Sequence, residues 1–269
     1  MKDQTFLVRF RSSCILMIVT IAAMILGGEV LFALLLAISL IGMMELYRVL
    51  KMNKSILAFS GYIFCILFYM LVYFNKTELI FPLLIGFLLV LMGVYVFSFP
   101  KFHSDQVTLV YFGLVYVGVM LSFIYRVRIL ENGFLLVWMI FIGAWGSDTC
   151  AYLVGRKIGK HKMAPILSPK KSVEGLFGGI LGAALIGFLF ATIFKGQLTS
   201  ISNPQVSFAI IGGCSAMIST IGDLAASAIK RNHEVKDYGK LIPGHGGILD
   251  RFDSIIFTAP IVYYLLQVL

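Results

Sequence analysis

Charge is what this sequence lacks most. Only 13% of its 269 residues are Asp, Glu, Lys or Arg, against a hydrophobic share of 59%. Soluble domains carry about 25% charged and roughly 45–50% apolar residues, so an ordinary soluble enzyme and a disordered chain are both excluded. Cysteine is also sparse. Cys14, Cys65, Cys150 and Cys214 are scattered through apolar runs without paired spacing, which excludes a disulfide framework and a cysteine zinc site. No repeat and no low-complexity tract breaks the chain. What remains is apolar sequence with a mean hydropathy of +0.95, the composition of a polypeptide that lives in a bilayer.

A membrane helix needs about 20 apolar residues. The uncharged runs, some extended over a terminal Glu45 or an interior Asp148, predict nine helices near 12–28, 30–48, 56–75, 79–98, 107–125, 133–154, 175–194, 206–229 and 253–269. The expected fold class is therefore all-α, a polytopic integral membrane protein with about nine transmembrane helices. Gly27-Gly28-Glu29 leaves two readings of the first pair, two short spans or one bent element. A cleaved signal peptide is a poor alternative for the first run, because a second apolar run follows at once with no soluble domain behind it. The chain divides into N-terminal membrane helices over 1–130 and a catalytic region over 131–269 with two cytoplasmic motif loops.

Placing the N-terminus in the cytoplasm puts 18 of the 22 Lys and Arg residues on the inner side, leaving only Lys76, Arg126, Arg128 and Lys195 outside. That asymmetry orients a multi-pass protein of the cell's inner, cytoplasmic membrane. The net charge of +9 reflects this orientation and contact with anionic lipid, and it is no argument for nucleic acid.

Two stretches break the apolar pattern, Ser147–Gly175 and Gly222–Ser254. Two predicted helices lie between them, so both face the cytoplasm, and together they hold 11 of the 22 basic and 7 of the 13 acidic residues. Asp148 and Asp223 sit in or at the ends of apolar helices, where a charge costs about 2.5–3.5 kcal/mol at the bilayer centre and calls for a partner. Each alone could be a helix-end acid reaching the interface. With Asp250 and Asp253, three apart and on one helical face, they form a carboxylate set suited to Mg²⁺, which takes oxygen ligands beside substrate phosphates. Asp253 could equally be a first-turn acid favoured by the helix dipole. Asp223, Ser227 and Lys230 or Arg231 share a helical stripe that suits either a metal-bound polyphosphate or an internal ion pair. Pro243-Gly244-His245-Gly246-Gly247 could cradle an anion with successive amides. His245 reads as a phosphate contact or an interfacial histidine. Ser168-Pro169-Lys170-Lys171-Ser172 reads as a phosphate-binding turn or a basic surface turn.

The second stretch has the pattern Ser227-x-x-Lys230-Arg231, Lys236-Asp237, then Pro243-x-His245-Gly246-Gly247-x-x-Asp250-Arg251-x-Asp253. It closely resembles the signature of phosphatidate cytidylyltransferases (CDP-diacylglycerol synthases). Trp145-Gly146-x-Asp148, Gly159-Lys160-His161-Lys162 and Ser168-Pro169-x-Lys171-Ser172 resemble the same family. The N-terminal helices match in hydrophobicity alone. One departure stands out: where family members often read Gly-Asp-Leu-x-Glu-Ser, Gly222-Asp223-Leu224 is followed here by Ala225-Ala226-Ser227, so any role of that glutamate is lost.

The resemblance implies transfer of a cytidylyl group from CTP to phosphatidate, giving CDP-diacylglycerol and pyrophosphate with Mg²⁺ as cofactor. It implies metal ligands among Asp223, Asp250 and Asp148, with Asp223, Asp250, Asp253, Lys230 and Arg231 catalytic. Lys171, Ser172, Ser227, His245, Gly246, Gly247 and Arg251 would bind substrate. The expected partners are CTP, phosphatidate and membrane lipid, with no nucleic acid, and the oligomeric state is open between monomer and homodimer. Two other readings compete: a polyprenol or phytol kinase, which also brings a nucleotide to a membrane lipid, and an ion-coupled transporter using the intramembrane acids.

Overall fold

The apolar runs become helices in the protein's structure, a computed structural model that describes residues 2–199, 201–244 and 246–269, with side chains from residue 11 onward except at 13. Nine long helices follow one another among the described residues: α1 (Lys2–Leu26), α2 (Gly28–Val49), α3 (Ile56–Tyr73), α4 (Ile80–Phe97), α5 (Ser104–Arg128), α6 (Gly133–Ile158), α7 (Val173–Ile193), α8 (Pro204–Asn232) and α9 (Leu249–Val268). Each coincides with a run marked in the sequence. Seven, α2 to α8, are long and apolar enough to cross a membrane. Within its described side chains α1 adds the apolar stretch Cys14–Leu26, and α9 carries Asp250, Arg251 and Asp253 within its first five residues.

Gly27 separates α1 from α2 with φ 63° and ψ −151°, a conformation open to glycine and costly for any residue with a Cβ. The ambiguous first pair is thus two helices. The span Thr77–Phe97, which contains α4, has the highest hydropathy of the seven, yet only 11% of its apolar window is covered by protein. A helix apolar all round that is not buried by its own chain requires lipid around it.

The chain forms two compact units. The first comprises residues 1–125 and 233–251, the second 126–232 and 252–269. In the first unit, α2, α3 and α5 pack around buried aromatic side chains. Tyr47 donates its hydroxyl to the Val110 carbonyl at 2.8 Å, and its ring lies where a Cβ at Gly61 or Gly113 would otherwise sit. In the second unit, α7 turns a stripe of small residues inward at every fourth position: Gly175, Gly179, Ala183, Gly187 and Ala191. This small-xxx-small spacing lets backbones approach closely where no hydrophobic driving force operates. A Cβ at Gly179 would meet the Ser147 carbonyl of α6, and one at Gly187 would meet the Phe208 carbonyl of α8. The result is a closely packed three-helix scaffold that carries Asp148 on α6 and Asp223 on α8.

Candidate active site

In the second unit, α6 contains a π-helical segment over Ile142–Gly146. Such insertions are rare and concentrate at functional sites. Asp148 lies in the first turn after it. The segment between α6 and α7, read from the sequence as a turn, is a two-stranded antiparallel hairpin: β1 (Lys162–Ala164) pairs with β2 (Ser168–Ser172) in the register Lys162↔Ser172 and Ala164↔Ser168. The hairpin is tied down at its base. The Glu174 carboxylate accepts the His161 backbone N–H at 3.2 Å and lies 2.6 Å from His161 Nδ1. The Ser172 hydroxyl accepts the Gly175 N–H at 3.2 Å, capping α7.

This arrangement delivers Lys171 to the carboxylates. Its Nζ lies 2.5 Å from Asp223 Oδ2, with both side chains about three-quarters buried. Asp148 is within electrostatic reach of both groups. Around them is a cavity of about 380 Å³ whose lining includes Asp148, Arg156, Lys162, Lys170 and Lys171, with Tyr152, Met163 and Leu176 on its apolar side. Four cations, the Asp148 carboxylate and apolar side chains in one lining suit an anionic amphiphile.

The glycine-rich loop belongs to the first unit. Gly244 and Gly246 have φ of 79° and 84°, and the Ile242 N–H donates to the Gly246 carbonyl at 2.9 Å. Asp250 Oδ2 accepts two amides, from Tyr238 at 2.8 Å and from Gly247 at 2.9 Å. Beside the loop is a basin of about 520 Å³ lined by Lys236, Lys240, Arg251, Asp237 and loop glycines. The buried Nε of Arg251 has no hydrogen-bond partner among the described residues. The basin is thus cationic, and its charges come from side chains. The amides at 247 and beyond do not form an open anion cradle as the glycine pattern suggests, because carboxylates of the chain already occupy them.

The cytidylyltransferase family model matches residues 7–269. The chain belongs to the cytidylyltransferase family. Among similar proteins, the phosphatidate cytidylyltransferase of Bacillus subtilis is 32% identical over 252 residues, covering 90% of this chain and 91% of its own length. That of Staphylococcus saprophyticus is 34% identical over 267 residues, covering 96% and 98%. The enzyme of the same name from Thermotoga maritima is 37% identical over 159 residues, 58% of this chain and 57% of its own.

In this cytidylyltransferase the second unit brings together Asp148, Lys171, Ser172 and Asp223. Ser227, Lys230 and Arg231 follow on α8, half-buried, buried and exposed respectively. Asp253 belongs to the same unit and accepts the Ser254 N–H at 2.8 Å through Oδ1. Asp250, Arg251, Gly246 and Gly247 belong to the first unit. His245 lies outside the described residues. Among those described, no group of three or more His, Cys, Asp or Glu side chains is placed to hold a metal by itself. Two residues outside the expected set, Glu174 and Glu45, hold the structure of these regions. Glu45 ends an apolar run in the sequence, and an acid there needs a partner, which is the available signal.

Proposed function

We propose that this protein transfers the cytidylyl group of CTP to phosphatidate at the cytoplasmic face of the membrane, releasing pyrophosphate and forming CDP-diacylglycerol. The observation that carries the reading is the cationic cavity of a family member, lined by Asp148 and by Lys171, which pairs with Asp223. The names of the similar proteins support the choice of substrates. The inward excess of basic residues supports the cytoplasmic face.

The chemistry asks little of the protein as a nucleophile. The phosphate monoester of the lipid has a second pKa near roughly 6 and is already largely ionised at neutral pH. One of its oxygens forms a bond to the α-phosphorus of CTP while the bond from that phosphorus to the bridging oxygen of pyrophosphate breaks. No side chain needs to be cytidylylated or deprotonated. The residues must neutralise charge and hold the reacting groups in line. Arg156, Lys162 and Lys170 at the second unit's cavity would bind the lipid phosphate, with the apolar wall receiving the glycerol backbone. Lys236, Lys240 and Arg251 at the first unit's basin would bind the triphosphate.

Asp148 and Asp223 fit Mg²⁺, which is held by one or two carboxylates plus substrate phosphates and waters rather than by an all-protein cage. The pairing of Asp223 with the Lys171 ammonium, within electrostatic reach of Asp148, supports a site built for positive charge. When bound, the metal would supply charge neutralisation on the phosphates. Lys171 then balances Asp223 in its absence, and Ser227 and Lys230 extend the same stripe of α8.

The test uses purified protein in detergent with phosphatidate, Mg²⁺ and CTP labelled at the α-phosphate. Label should enter the lipid with one pyrophosphate released per transfer. Label entering lipid only from γ-labelled nucleotide would instead identify a kinase, and flux into proteoliposomes without pyrophosphate release would identify a transporter.

A further inference from the structure

Helix α9 begins at Leu249, behind Gly247 and Ile248, neither of which has a side chain able to accept the first-turn N–H groups. A helix start without an acceptor leaves buried donors unsatisfied. The acceptor comes from Glu45, some two hundred residues earlier on α2. One carboxylate oxygen takes the Ile248 N–H at 3.1 Å and the other takes the Leu249 N–H at 2.9 Å. Glu45 is only 1% exposed. Gly239 and Gly247 both press on it, so that a Cβ at either position would run into the carboxylate. Asp250 then holds the amides of Tyr238 and Gly247. Two carboxylates thus clamp the segment that carries Lys236, Lys240 and Arg251 to the basin, and one of them comes from a helix where the family pattern provides no motif.

We propose that Glu45 is a positioning residue for the nucleotide's triphosphate: it touches no substrate, but by capping α9 it fixes the loop that presents the basin's cations. The inference rests on reading the basin as the triphosphate site. Glutamine in place of Glu45 retains one carbonyl oxygen and turns an NH₂ group toward a backbone N–H, so one bond becomes a donor–donor contact.

The experiment measures KM for CTP, KM for phosphatidate and kcat in wild type, Glu45→Gln and Gly247→Ala, alongside calorimetric binding of inorganic tripolyphosphate. Both variants should raise KM for CTP at least tenfold and weaken tripolyphosphate binding by a similar factor, while KM for phosphatidate stays within twofold. Wild-type KM for CTP in Glu45→Gln, or an equal rise in both KM values from general loosening, would overturn the proposal. The two readings fail separately. Absence of transfer by the wild type sinks the reaction; tripolyphosphate affinity then decides alone, a tenfold loss in Glu45→Gln supporting the positioning role and equal affinity sinking it.

Discussion

The two motif regions of this cytidylyltransferase hold their charged residues by opposite means. In the second unit, side chain meets side chain: Lys171 pairs with Asp223, and Asp148 stands near both. The support is a helix scaffold packed on glycines. In the first unit, side chain meets backbone: Asp250 and Glu45 take four amide N–H groups between them. The first arrangement keeps charges available for exchange, since an ammonium can give way to another cation. The second consumes carboxylate charge to fix a loop whose cations are then displayed. Substitutions that keep shape but remove charge should therefore act differently in the two regions.

The largest effect is expected in the second unit. Asp223→Asn removes a charge and leaves the Lys171 ammonium without its ion pair. Turnover should fall by roughly 10²–10³-fold, the scale seen when one preorganised electrostatic group is removed, while the protein still folds in detergent. Near-normal pyrophosphate release from the variant would end the assignment of this pair. Chelation offers the complementary measurement. Excess EDTA should abolish transfer and added Mg²⁺ should restore it; transfer that persists in chelator would exclude a dissociable divalent ion.

Asp250→Asn sharpens the comparison. The amide keeps an oxygen for the Tyr238 and Gly247 N–H groups, so the loop can keep its shape while losing a charge. We expect a fall in turnover of about tenfold to a hundredfold, smaller than for Asp223→Asn, with little change in thermal midpoint. Unchanged turnover would mean that Asp250 serves the loop geometry and nothing else.

How much of this was legible beforehand depends on what each feature answers to. The seven helices long enough to cross a membrane follow from the apolar runs, because a crossing needs about 20 apolar residues. Gly27-Gly28-Glu29 marks the boundary of the first two helices in the sequence, and the positive φ at Gly27 decides between two helices and one bent element. Asp148, Lys171 and Asp223 were identifiable as a set through the motif resemblance, and the structure places them together within one unit. The hairpin of Lys162–Ala164 and Ser168–Ser172 was not foreseen, since three to five residues carry too little periodicity to separate strand from turn. The amides beyond Gly246 were misjudged. Glycine shows where the backbone can be approached closely, but not by what, and here the approaching group is Glu45 of a distant helix.

Packing within the scaffold gives a further measure of the same contrast. At Gly182 on α7, a Cβ would collide with Cys150 Cβ and Sγ on α6. Gly182→Val should cost about 1–3 kcal/mol through overpacking and, because α6 also carries Asp148, should lower turnover as well as thermal stability. A variant that lost stability alone would show that the acids tolerate movement of their helices.

The smallest effect is expected from the core of the first unit. Ser39 Oγ and Tyr69 Oη lie 2.7 Å apart and are buried, and the Tyr69 hydroxyl also reaches the Leu35 carbonyl at 3.4 Å. Ser39→Ala removes the shorter contact, yet the tyrosine keeps the weaker one. Buried hydrogen bonds between membrane helices average about 0.6 kcal/mol, so the thermal midpoint should drop slightly. Turnover and both KM values should stay at wild-type levels, because neither residue takes part in the Glu45 and Asp250 bonds that hold the loop. A rise in KM for CTP from this substitution would mean that the whole helix packing of the first unit, and not the carboxylate clamp, sets the position of the basin's cations.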